Sequence, residues 1–269
     1  MKTAFIDTSV ISECHRQGIA ANILHEALTA SKLIPVVGMY PTYEITRTIT
    51  TDCLGKASQL FSFIRDLEPE FSCLREELYA MEAKKLKTDN PVDYLLCSSK
   101  KTILQKRIDN YIIGTFDQEY KDFIQIRQTG LTVSRQAWRP IRNKEIRKKY
   151  NHNFNKFLSD FFSNLKFEPR KIEWIRIVIS VATQQKVILA DKEIIKFIDN
   201  QTSYPALRTL IYVYLYLEFL TETNNATPSE DRFTDALVMI EGAYCTTIIS
   251  DDESFIHKVT TPYNSPSHN

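Results

Sequence analysis

The chain lacks the cysteine spacings from which zinc sites and disulfide frameworks are built. Its 269 residues include five cysteines, an odd number scattered along the sequence, and no two of them form a Cys-x-x-Cys pair. Neither a structural zinc site nor a set of disulfides is therefore indicated. We expect a protein of a reducing compartment, most simply the cytoplasm.

Long hydrophobic runs are also missing. The most apolar window, residues 207–220, contains Arg208 and Glu218 and is too short to cross a bilayer, so it predicts a buried helix. The amino terminus has one lysine and no long apolar stretch, and we expect neither a signal peptide nor a membrane partner. Residues 261–269, rich in Ser, Pro and Asn, predict a flexible tail.

The formal net charge of +1 hides an uneven distribution of charge. Residues 127–149 contain eight bases and one acid, a local charge of +7, whereas residues 191–258 contain twelve acids and five bases, a local charge of −7. A basic segment beside an acidic pocket suits a polyanion that one part holds and another part cuts. A solvated helix face is an equally good explanation of either charge run.

Residue patterns predict an α/β fold with a parallel sheet flanked by helices. Residues 57–200 are charged and mostly helical in pattern, with a short apolar run at 187–190 that the pattern does not assign. A capping box at Thr227-Pro228-Ser229-Glu230 predicts a helix over residues 228–242. The other predictions are strands at 2–7, 33–37 and 245–250, helix over 9–30 with a break at Gly18, and a helix that begins at Pro41.

Four carboxylates stand where these elements change. Asp7 ends the first strand, Glu44 falls in the first turn of a helix, Asp235 lies inside an apolar helix and Asp252 follows the last strand. Ligands bind beyond the carboxyl ends of the strands in open parallel sheets. Because Mg²⁺ and Mn²⁺ prefer oxygen ligands, the four acids together predict a site for one of these ions.

Each acid also has a structural explanation. Asp7 can cap the helix that follows it, and Glu44 can complement a helix dipole. Asp252 and its neighbour Asp251 can be turn residues. Asp235 is harder to explain in this way, because an unpaired carboxylate among apolar neighbours is costly.

Four segments of the chain resemble the motifs of the PIN-domain ribonucleases in their family order. They are Phe5–Ser9, Pro41–Ile45, Asp235–Ala243 and Ser250–Phe255. The last is similar to a hydroxyl-x-Asp-x-x-Phe pattern, which assigns the fourth acid to Asp252 rather than Asp251. Asp231 remains a rival to Asp235.

The resemblance implies metal-dependent hydrolysis of phosphodiester bonds, with RNA as the expected substrate and DNA as the open alternative. Asp7, Glu44, Asp235 and Asp252 would form a four-carboxylate site for Mg²⁺ or Mn²⁺. Ser9 and the hydroxyl of Ser250 would help to bind the substrate. The implied fold is a PIN-like core made of residues 1–65 and 190–260.

Residues 66–189 would then be a helical, basic insertion that compact family members lack. Its substrate-binding candidates place an aromatic side chain between basic ones, which suits stacking on a base and contact with phosphates. Trp138 can equally be a core residue. These candidates are Arg135, Trp138, Arg139, Arg142 and Lys148.

Two other functions compete with the nuclease. One is a catalytically silent PIN-like module that binds RNA or scaffolds a complex. The other is a phosphatase with Asp7 as nucleophile. Such phosphatases usually have a second aspartate two positions later, and this chain has Ser9 there, which disfavours this function. For the nuclease, a bacterial toxin or defence role is plausible, with an inhibitory protein partner and a homodimer as expected partners.

Overall fold

Four parallel strands form one sheet in the order β3-β2-β1-β4 of this computed structural model. The strands are β1 (Lys2–Ile6), β2 (Leu33–Val37), β3 (Glu70–Phe71) and β4 (Thr247–Ile249). The central strand β1 pairs with β2 through Phe5 and Val36 and with β4 through Ile6 and Ile249. The first and last strands along the chain are therefore neighbours, and the carboxyl ends of β1 and β4 share one edge.

The structure describes residues 2–39, 42, 44–45, 54–115, 118, 122, 144–151, 153–163, 165, 168–224 and 238–251. Its α-helices are α1 (Thr8–Arg16), α2 (Ala21–Ala30), α3 (Leu54–Leu67), α4 (Arg75–Thr88), α5 (Ser98–Ile112), α6 (Lys144–Tyr150), α7 (Phe154–Ser163), α8 (Pro169–Ala182), α9 (Asp191–Asp199) and α10 (Pro205–Asn224). A 3₁₀ turn, Gln201–Ser203, precedes α10. Residues 42, 44, 45 and 238–241 are also helical.

The chain divides into two compact units. The sheet unit contains Met1–Leu74, Asp93–Gly130 and Glu241–Glu253, and the helical unit contains the remaining segments. Residues 66–74 and 93–130 thus group with the sheet, while residues 190–240 group with the helices. The division into a nuclease core and an insertion at residues 65 and 190 stays a prediction.

The predicted α/β class and the parallel sheet are confirmed. β2 has the predicted bounds, and the helical stretch after Asp7 breaks at Gly18, whose φ of 70° lies in the left-handed region. Strand β4 is shorter than predicted, β3 was not predicted, and the apolar run at 187–190 forms neither strand nor helix. The capping box at Thr227 lies outside the described residues.

The core of the sheet unit fills the space between the sheet and its helices. Phe5, Ile6 and Val37 are completely buried, and so are Phe61 and Ile64 of α3. Strands that are covered on both faces are apolar on both faces. β1 and β2 therefore show runs of apolar residues in the sequence and not an alternation of apolar and polar residues.

Helix α10 is the centre of the helical unit and contacts helices α4, α6, α7 and α8. Its first turn is capped from α4: the fully buried Glu82 accepts hydrogen bonds from Ala206 N at 2.9 Å and Leu207 N at 2.7 Å. Backbone N–H groups in the first turn of a helix have no acceptor within the helix, and the carboxylate of Glu82 supplies one here. None of the helices in the described part of the chain combines the length and apolar composition that crossing a membrane requires.

Replacing Glu82 by alanine should destabilise the helical unit. Glu82→Ala leaves the N–H groups of Ala206 and Leu207 without their acceptor, at a cost of about 1–3 kcal/mol in the free energy of unfolding. Urea unfolding measures the loss. Lys87→Ala, at an exposed position of the same helix, is the control and should change little. Equal stability of the two variants would contradict the capping role.

The carboxyl group of Glu222 predicts a pH-dependent stability. Burial, with help from Glu218 one turn earlier, raises the pKa of Glu222 to about 7 from 4.5. Its Oε2 is buried and has no hydrogen-bond partner within the described residues. The unfolded chain releases this proton at lower pH than the folded one, so the free energy of unfolding should fall as pH rises from about 4.5 to about 7.

Glu222→Gln removes this titration, and the variant should gain stability relative to the wild type at pH 8 but not at pH 4.5. Urea midpoints at the two pH values give the comparison. Glu26→Gln, at an exposed position of α2, controls for the loss of one negative charge. A gain of the same size at both pH values would contradict the prediction.

Candidate metal and nucleic-acid site

Asp7 links the end of β1 to the start of α1. Its backbone is extended, with φ −76° and ψ 157°, and its Oδ1 accepts a hydrogen bond from Thr8 N at 2.7 Å. Its own N–H donates to Ile249 O at 3.1 Å and so extends the pairing of β1 with β4. The expected helix-capping role of Asp7 is confirmed.

Two serine hydroxyls converge on the other oxygen of Asp7. Ser9 Oγ donates to Oδ2 at 2.6 Å, and Ser250 Oγ donates to the same atom at 2.7 Å. Ser9 Oγ also accepts from Asp251 N at 3.0 Å. Since each hydroxyl has one proton, both protons point to Asp7. The carboxylate is therefore the acceptor that joins the ends of β1 and β4.

Glu44 reaches the same edge through Thr8. The hydroxyl of Thr8 donates a short hydrogen bond to Glu44 Oε2, while the backbone N–H of Thr8 donates to Asp7. One residue thus bridges two carboxylates that stand 37 positions apart in the sequence. Both acids are partly buried.

In comparisons with known proteins, no family model, curated protein or solved structure matches the chain at a significant level.

The structure brings Asp7, Glu44, Ser9 and Ser250 together through hydrogen bonds, and their role as a site stays a prediction. Lys148 is exposed on α6 of the helical unit, and Asp251, the rival of Asp252, is exposed after β4. The remaining predicted site residues lie outside the described residues. They are Asp235, Asp252, Arg135, Trp138, Arg139 and Arg142, together with the rival Asp231.

The donor set around Asp7 fits a hard cation. A carboxylate has about four lone-pair positions, and donors from the described residues fill three of them in Asp7, which leaves one that these residues do not use. Glu44 adds a second carboxylate. No group of three or more acids, histidines or cysteines able to hold a metal exists within the described residues, and further ligands must come from elsewhere in the chain.

An ion pair on α1 was not predicted. Arg16 is the last residue of α1, two residues before Gly18, and it donates hydrogen bonds to Glu13 in the same helix. Its hydrogen bond to Glu13 raises the pKa of its guanidinium, with a smaller contribution from the charge of Asp251.

The sheet unit also contains a buried acid that was not predicted as a site residue. Glu241 is 2% exposed and lies in the sheet unit, with Oε2 only 2.2 Å from the position that a Cβ on Gly38 would occupy. The signal was present in the sequence, because Glu241 follows five apolar residues, 236–240, and precedes Gly242.

Removing the acceptor at Asp7 should destabilise the sheet unit. Asp7→Ala leaves Thr8 N and the hydroxyls of Ser9 and Ser250 without their acceptor, and we expect a loss of about 1–2 kcal/mol in the free energy of unfolding. Asp7→Asn should lose less, because asparagine caps helices as well as aspartate does.

Urea unfolding distinguishes the two variants. Asp109→Ala, at an exposed position of α5, is the control for loss of an acidic side chain and should not destabilise the protein. If Asp7→Ala is as stable as the wild type, the carboxylate does not hold the strand ends together.

Proposed function

We propose that the chain is a metal-dependent endoribonuclease with a PIN-like site at the carboxyl edge of its sheet. The observation that supports this most directly is the link from Asp7 through Thr8 to Glu44, with Ser250 supplied by β4. Two acids and a hydroxyl from three chain segments that resemble the PIN motifs thereby meet at one place. Asp235 and Asp252 would complete the four-carboxylate site.

A Mg²⁺ or Mn²⁺ ion bound there would polarise a phosphodiester and activate water for attack on phosphorus. Asp7 would hold the ion through the lone pair that its three donors leave open. Ser9 and Ser250 fix the orientation of that carboxylate, because both hydroxyl protons are used on its Oδ2. Glu44, which Thr8 links to Asp7, would hold the ion or orient the attacking water.

RNA is the proposed substrate, and positive charge supports that choice. Lys148 is exposed in the predicted basic segment 127–149. Phosphate contacts of this kind contribute affinity without reading sequence. Arg135, Trp138, Arg139 and Arg142 would extend that surface, and residues 66–189 would be the insertion that selects the substrate.

The cellular context that fits such a domain is a cytoplasmic toxin or defence nuclease restrained by an inhibitory protein. A silent RNA-binding or scaffold module is the second candidate. One observation favours it: protein donors already fill three of the lone-pair positions of Asp7. Cleavage assays separate the two.

Purified protein should cleave single-stranded RNA when Mn²⁺ is present and should not cleave it in excess chelator. Asp7→Asn and Glu44→Gln should each abolish cleavage, because each removes a metal-binding oxygen and its charge. Gel analysis of labelled RNA and of single-stranded DNA measures the activity and its preference. Asp109→Asn, at an exposed position of α5, should cleave like the wild type.

Unfolding curves must accompany these assays, so that loss of activity is not confused with loss of fold. Cleavage by Asp7→Asn at the wild-type rate would show that the acids are misassigned. A folded wild-type protein that cuts neither nucleic acid in Mn²⁺, yet binds RNA, would identify the silent module instead.

A further inference from the structure

Gly38 and Glu241 meet in a corner of the sheet unit beside the proposed site. Gly38 directly follows β2, and Glu241 is the last residue of the helical turn at 238–241. A Cβ at position 38 would lie 2.2 Å from Glu241 Oε2 and 2.7 Å from Cζ of Phe5. Real Cβ atoms do not approach other atoms so closely, and the carboxylate therefore occupies the space that a side chain at position 38 would need.

Gly38 also starts the segment that carries Glu44. Its carbonyl accepts hydrogen bonds from Thr42 Oγ1 at 3.1 Å and from Thr42 N at 3.5 Å. Thr42 is buried, and Glu44 follows two residues later, where it accepts from Thr8. A displacement of the Gly38 backbone would consequently move Glu44 relative to Asp7.

The ring of Phe5 connects the same corner to Asp7. Phe5 is completely buried in β1, two residues before Asp7. A Cβ at Gly242 would lie 2.9 Å from Cγ of this ring, so the backbone of Gly242, next to Glu241, also packs closely against Phe5 of β1. These distances show that the backbone at both glycines lies close to the Phe5 ring, with no room for a side chain at either position.

Glu241 does not join the metal ligands within the described residues, since Asp7, Glu44 and Glu241 form no group of three that could hold an ion. We propose that Glu241 is a positioning residue: its buried carboxylate, wedged against Gly38, sets the start of the segment that places Glu44 in the metal site. This inference rests on the proposed function. Groups that orient metal ligands in this way typically matter about 10–100-fold for metal affinity or activity.

Mn²⁺ titration calorimetry on the full chain tests the proposal without relying on activity. Glu241→Ala should raise the Kd for Mn²⁺ about tenfold, and Glu241→Gln should recover most of that loss because it keeps the shape and one oxygen against Gly38. Adding Glu241→Ala to Glu44→Gln should cause no further weakening, since the effect passes through Glu44. Single-turnover RNA cleavage should show the loss in the rate constant, with the apparent KM for RNA unchanged.

Gly38→Ala tests the wedge itself. The added methyl group must displace Glu241 or Phe5, so the variant should lower the thermal midpoint and weaken Mn²⁺ binding. Glu241→Ala in the Gly38→Ala background should restore part of the midpoint. The matched control is Gly55→Ala in α3, where an added Cβ meets no atom within 4 Å and the midpoint should be unchanged or higher.

Two failures are distinguishable. A folded wild-type protein that neither binds Mn²⁺ nor cuts RNA would overturn the proposed function and the role of Glu241 with it. A wild type that does both, with Mn²⁺ affinity and rate unchanged in Glu241→Ala, or with additive losses in the Glu44→Gln background, would overturn the positioning role alone. A thermal midpoint for Gly38→Ala equal to that of the wild type would show that nothing is wedged there.

Discussion

The carboxylate of Asp7 is the interaction on which the functional edge of this fold depends. It caps α1 through Thr8 N and accepts both serine hydroxyls, one of which comes from a residue 243 positions away. Charged acceptors form stronger hydrogen bonds than neutral ones, so this carboxylate reinforces the backbone pairing of β1 with β4. The same three bonds orient the carboxylate and leave one lone pair that no described residue uses. Capping and metal binding, which compete as explanations in the sequence, are compatible in the structure.

The packing of two glycines against the ring of Phe5 is a second constraint on this edge. The completely buried Phe5 supports two glycines, Gly38 after β2 and Gly242 after the helical turn that ends at Glu241. Because these residues carry no side chain, the backbone of both segments comes close to β1. The carboxylate of Glu241 takes the space above Gly38, and the segment bearing Glu44 begins there. This packing thus lies within a few residues of the candidate site.

Local patterns predicted much of the fold. Strands β1 and β2, the break at Gly18 and the helix around residues 207–220 follow from apolar runs, glycine and helical spacing, which are properties of neighbouring residues. The strand β3 was not predicted because its two residues, Glu70 and Phe71, are too few to show an alternation of apolar and polar side chains. Val187–Ala190 has the composition of a strand but no neighbouring strand in the described part of the chain, so it forms neither strand nor helix. The short β4 reflects pairing with only three residues of β1.

By itself, the sequence determined that strands ending in Asp7 and near Ser250 exist and that hydroxyls and acids follow them. Only the tertiary structure decided which strands are neighbours. It also decided that Thr8 bridges Asp7 to Glu44 and that Glu241, rather than solvent, fills the space beside Gly38. The physical reason is distance along the chain. Propensity and periodicity act over a few residues, whereas these contacts join segments that are far apart in sequence and meet only after the parallel sheet has formed.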